Sequence, residues 1–106
     1  MGKASRDKGR RGQSAARDLL ESRDWVVGDL SAGLDTEDLM AVSPEGSTFS
    51  VEVKNTVSIN VRAFVKQARE QVRKGCRWMV MARIDGFASA WLVIKQGEAP
   101  VVWSGK

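Results

Sequence analysis

The chain has 106 residues, 42% of them hydrophobic and 28% charged, which predicts one soluble globular domain with a single core. It has no histidine, which excludes histidine-based metal sites and catalytic triads; any metal must rest on oxygen ligands, favouring Mg²⁺ or Mn²⁺ over zinc. Cys76 is the only cysteine, so no internal disulfide forms and a reducing, cytoplasmic compartment is expected, and no apolar run approaches the roughly 20 residues that span a membrane.

The first twelve residues carry Lys3, Arg6, Lys8, Arg10 and Arg11 against Asp7, which is the whole of the chain's net charge of +4. A basic arm over residues 1–12 on an otherwise neutral body, residues 13–106, suggests contact with an anionic polymer. The plainer alternative is a solubilising tail. Gln13 to Arg23 then has helical spacing, with Ala15, Ala16, Leu19 and Leu20 on one side. Trp25 to Leu30 reads as a short strand, and Ser31-Ala32-Gly33 as a loop leading to the acidic Asp35, Glu37 and Asp38.

Asp38 to Lys54 predicts a β-hairpin, with strands over 38–42 and 48–54 around a Ser-Pro-Glu-Gly-Ser turn centred on Glu45. In that register Val42 opposes Thr48, Met40 opposes Ser50, and Asp38 opposes Glu52. Alternation puts Leu39, Ala41, Phe49, Val51 and Val53 on one apolar face, and Asp38, Ser50, Glu52 and Lys54 on the other. Directly opposed residues have Cβ atoms roughly 4.5–5.5 Å apart. Two carboxylates that close call for positive charge, from Lys54 or from a hard divalent cation. Asp35 or Glu37 could take the place of Asp38. The plainer reading is a solvated face with weak ion pairs.

Asn60 to Lys74 predicts a second helix, capped by Asn60 and stopped by Gly75, with Val61, Phe64, Val65, Ala68 and Val72 as its buried stripe. Arg62, Lys66, Arg69 and Arg73 form a basic stripe on the same helix. Arg77–Arg83 and Ala88–Ile94 are apolar on both faces, as inner strands are, joined by a turn at Asp85-Gly86. Val101–Trp103 follows as an edge strand, and Trp25, Trp78, Trp91 and Trp103 are expected in the core. The sum is a single α/β domain whose mixed central sheet is flanked by helices.

Asp38, Glu52-Val53-Lys54, the Ser31-Ala32-Gly33 loop and Lys8-Gly9-Arg10-Arg11-Gly12-Gln13 together resemble the PD-(D/E)xK nuclease superfamily, and within it the small Holliday-junction resolvase-like enzymes of archaea and phages. The resemblance covers nearly the whole chain in element order and motif spacing. It implies a restriction endonuclease-like fold and a Mg²⁺-dependent endonuclease, with Mn²⁺ as an alternative ion. Asp38, Glu52 and the carbonyl of Val53 would hold the ion, Lys54 would assist the reaction, and Ser31 would touch the phosphate. Lys8, Arg10, Arg11, Arg62, Lys66, Arg69 and Arg73 would contact DNA, with a homodimer acting on a branched substrate. The chain departs from the pattern at Glu37, where a proline is frequent, and at Gln13, where the family's auxiliary metal ligand is a glutamate. An amide there brings no charge. The alternatives are a repair or restriction nuclease acting on linear or flap DNA, and a DNA-binding module with an impaired site.

Overall fold

The computed structural model describes residues 3–28, 39–84 and 90–104. Its elements are α1 (Lys3–Ser22), β1 (Val26–Gly28), β2 (Leu39–Val42), β3 (Thr48–Thr56), α2 (Val61–Gln71), β4 (Arg77–Ile84), β5 (Ala90–Lys95) and β6 (Val101–Ser104). The six strands form one sheet in chain order, β1-β2-β3-β4-β5-β6. Only β3 and β4 run parallel; every other described neighbour pair is antiparallel. The described turns, 43–47 and 96–100, join antiparallel neighbours, whereas the parallel pair needs the α2 crossover. The fold is the expected α/β architecture with a mixed sheet. None of the described helices is long and apolar enough to cross a membrane.

The hairpin register is the one read from the sequence. Leu39 pairs with Val51, Met40 with Ser50, Ala41 with Phe49 and Val42 with Thr48. Its turn is fixed locally. Gly46 N donates to Ser43 O at 2.9 Å, Ser47 N to the Ser43 hydroxyl at 3.1 Å, and Ser43 N to Ser47 O at 2.8 Å. Pro44 suits the first corner of such a turn, and Gly46 takes the positive φ of 94° that closes it.

The odd-numbered face of the hairpin is the main core. Leu39, Ala41, Phe49, Val51 and Val53 join Met79, Met81, Trp91, Val93 and Trp103 beneath Ala16, Leu19 and Leu20 of α1. Burying each large side chain contributes about 1.5–3 kcal/mol. Trp25 packs its ring 5.3 Å from Phe49 and 5.9 Å from Trp103. The opposite face is covered by α2, where Ala68, Phe64 and Val65 meet Val80, Ala82, Ile94, Trp78 and Leu92. All four tryptophans are thus core or core-lining, as expected.

Both helices differ from their expected extents. Helix α1 starts at Lys3, not Gln13, so the segment read as an arm is the first half of a helix. Its Lys, Arg and Ala residues are strong helix formers, and that local preference outweighs the two glycines. The helix ends where Trp25 N and Asp24 N donate to Leu20 O and Glu21 O, with Asp24 at φ 69°, and Trp25 folds back onto the core. Helix α2 stops at Gln71, because Val72 is extended and Arg73 N donates to the buried Ser50 hydroxyl at 3.1 Å. Gly75 therefore lies in the following turn, and Arg73 lies beyond the helix. Val61, expected in the buried stripe, sits in the first turn of α2 and is exposed. The Asn60 cap is as expected, its side chain accepting from Ala63 N at 3.1 Å and stabilising the helix start by about 1 kcal/mol.

Gly12 shows how closely α1 lies on β3. A Cβ there would fall 2.6 Å from the Cβ of Asn55, which is rooted in the strand and cannot swing away. Overpacking of this kind costs about 1–3 kcal/mol, against about 1 kcal/mol gained in helix propensity. Gly12→Ala should therefore lower the thermal midpoint. A midpoint equal to or above wild type would show that the helix can shift away from the strand.

Candidate active site

Strand β3 carries two chemically different faces, and its carboxyl end is where they become polar. On the α2 side lie Ser50, Glu52 and Lys54; on the α1 side the run Val51, Val53 ends in Asn55. Ser50 and Glu52 are buried, at 2% and 3% exposure, so this is not the solvated face that a polar hairpin usually presents. A carboxylate removed from water this far must be compensated by charge or hydrogen bonds.

Lys54 supplies part of that compensation. Its Nζ lies 3.9 Å from Glu52 Oε1, donates to Gln67 Oε1 at 2.6 Å, and sits 5.6 Å from the centre of the Phe64 ring. The ammonium is thus held between β3 and α2, closer to the Gln67 amide than to the carboxylate. Its side chain keeps 21% exposure, so the charge reaches the surface while the Glu52 side chain, at 4%, does not. Ser50 has a structural task, accepting from Arg73 N just after α2.

Of the residues read as candidates, the structure brings Glu52, Lys54 and the backbone of Val53 together on one strand. Asp38 and Ser31 lie outside the described residues, as do Asp35 and Glu37. The described register stops one pair short: the position after Leu39↔Val51 is the one that would set Asp38 against Glu52. Gln13 is half-buried on α1, the helix covering the face opposite to Glu52. Lys8 and Arg10 belong to the first half of α1, and Arg11 is exposed there. Arg62, Lys66 and Arg69 are exposed along α2, and Arg73 is exposed after it.

Glu52 offers a hard oxygen ligand, the chemistry that Mg²⁺ or Mn²⁺ takes. Among the described residues no group of three potential metal ligands forms. The oxygen-donor chemistry of Glu52 fits a hard divalent ion.

Sequence reasoning missed Gln67, Asn55 and Arg83. Gln67 lies between Phe64 and Ala68 on the inward side of α2. Asn55 and Arg83 prolong the apolar alternations Val51-Val53 and Met79-Met81. In each case the signal was a polar residue at a position whose periodicity called for an apolar one. Arg83 Nε donates to Asn55 Oδ1 at 3.1 Å, and its guanidinium lies 4.7 Å from the centre of the Trp91 ring. No protein-family model matches the chain, and comparison with curated proteins gives no match.

Proposed function

We propose that this chain is a metal-dependent DNA endonuclease, with a branched junction as preferred substrate and a homodimer as the working unit. The observation that carries the reading is the buried Glu52 carboxylate beside a tethered Lys54 ammonium, on a hairpin whose register leads to Asp38. A buried carboxylate and a clamped lysine are costly for stability alone, and such groups concentrate at functional sites.

Glu52 and Asp38, with the carbonyl of Val53, would hold Mg²⁺ or Mn²⁺. When bound, such an ion polarises a phosphate oxygen and lowers the pKa of its water. Gln67 fixes Lys54 so that its ammonium meets the phosphate without rearranging, stabilising the negative charge that builds as the phosphodiester is attacked. Ser31 is assigned a phosphate contact, whereas Gln13, on the helix that covers the face opposite to Glu52, is given no place at the ion. The exposed Arg62, Lys66 and Arg69 would neutralise flanking phosphates, giving affinity without base readout. Two copies related by a two-fold axis would present two sites to one junction.

Incubating the purified protein with labelled four-way junction, flap, duplex and single-stranded DNA, in Mg²⁺ or Mn²⁺ and in EDTA, tests the reading. Cleavage that requires the ion and favours the junction, from a particle of twice the chain mass, is expected. A monomer that cuts duplex equally well would remove the junction preference and leave a nuclease of the repair or restriction kind. DNA binding without cleavage of any substrate would leave only a binding module.

A further inference from the structure

Arg83 is held by more contacts than a surface arginine needs. The parallel register sets it beside Asn55, and its Nε donates to the Asn55 side chain, which is 6% exposed. The guanidinium plane is covered by Trp91, itself 2% exposed. Behind Asn55 stands Gly12 of α1, at a distance that admits no side chain. Elements β3, β4, β5 and α1 therefore converge to fix one half-buried arginine in a single orientation.

These contacts use the Nε–H and one face of the group. A guanidinium has five N–H donors in a planar fork, and the outer four are the ones that bind phosphate in pairs. Among the described residues, Arg83 has no further hydrogen bond and no carboxylate partner. The outer nitrogens of this planar fork have the geometry that matches a phosphate bidentately.

Position indicates what would meet it. Arg83 and Asn55 lie at the carboxyl ends of the two parallel strands, the edge at which α/β sheets receive ligands. Lys54 is the residue before Asn55 and points to the other face, so the edge carries a cation on each side. Helix α1 runs antiparallel to β3, since Gly12 is level with Asn55 while Trp25, after the helix, reaches Phe49. The basic first half of α1 thus continues past this same edge, at about 1.5 Å per residue.

We propose that Arg83, clamped by Asn55 and Trp91, binds a backbone phosphate of the DNA strand that crosses the carboxyl edge of β3 and β4. The inference rests on the nuclease reading for its ligand, and adds a fixed phosphate contact on the sheet face opposite to Glu52. Its role is to hold the strand in register while the scissile phosphate lies at Lys54.

The test separates binding from cleavage. Arg83→Met removes the charge and keeps an apolar stem over Trp91. Affinity for duplex and junction is measured across a salt series without divalent metal, so that nothing is cut. The variant should bind duplex about tenfold more weakly at moderate salt, with a slope of log affinity against log salt shallower by about 0.9, one phosphate contact. In wild-type protein, DNA should also protect Arg83 from phenylglyoxal, read by mass spectrometry, a measurement that does not depend on the variant folding. Wild-type affinity and slope in a folded Arg83→Met, or equal modification of Arg83 with and without DNA, would overturn the contact. Cleavage by wild type together with either of those results overturns this inference and leaves the nuclease standing. Protection of Arg83 without any metal-dependent cleavage does the reverse. A wild-type chain with no affinity for DNA overturns both.

Discussion

Glu52→Gln should reduce metal-dependent DNA cleavage by about a thousandfold or more, with DNA affinity in EDTA changed by less than about threefold. The substitution keeps shape and removes only charge. The amide brings no negative charge to the ion that Glu52 would hold. The neutral amide costs less to bury than a carboxylate, so the thermal midpoint should hold or rise in metal-free buffer. Activity and stability should therefore move in opposite directions, as they do when a buried charge is kept for chemistry. Cleavage near the wild-type rate would remove Glu52 from the mechanism, and with it the assignment of Asp38 as its partner at the ion.

Lys54→Met should lower cleavage by about a hundred- to a thousandfold, the loss expected when a preorganised charge beside a phosphoryl centre is removed. Here stability should fall as well. Deleting the ammonium removes the cation 3.9 Å from Glu52 and leaves Gln67 Oε1 without its donor from Lys54, which together cost about 1–3 kcal/mol. Combining Lys54→Met with Glu52→Gln should restore most of that stability and none of the activity, because the buried charge is then gone from both partners. Gln67→Leu, which frees the lysine but keeps it, should cost about tenfold in rate. A Gln67→Leu variant as impaired as Lys54→Met would mean that the amide itself takes part, and a fully active Lys54→Met would end the assignment of Lys54.

The hairpin was legible because every cue agreed. Pro44 and Gly46 set the turn, and the two-residue alternation of Leu39, Ala41, Phe49, Val51 and Val53 admits one register only, since a slip by one residue would reverse both faces. The burial of Glu52 was not legible. Alternation says that Ser50, Glu52 and Lys54 share a face, but only the path of α2 decides that the face is covered. The start of α1 was missed because charge density was read as an arm, when the same lysines and arginines are good helix residues. The end of α2 was placed three residues too late, because Gly75 is a strong local stop while the hydrogen bond from Arg73 N to Ser50 is a long-range one. Asn55 and Arg83 were passed over for a related reason: a polar residue closing an apolar alternation looks like a strand end until its partner across the sheet is known.

Strand order has a consequence for how the chain folds. Since each strand pairs with its neighbour in sequence, most of the sheet can assemble by closing short hairpins, which form in about 1–10 μs in isolation. The exception is the step from β3 to β4, which must bring residues on either side of segment 57–76 into parallel register. Pairing across so long a closure gives up chain entropy before it returns any contact, so it sets the pace of sheet formation. Glu52, Lys54, Gln67, Asn55 and Arg83 all belong to that one β3-α2-β4 unit. Their backbone is therefore brought together by that one closure, with β5 and α1 completing the contacts of Arg83 and Asn55. Substitutions in the crossover should slow folding, whereas those in β6 should mainly hasten unfolding.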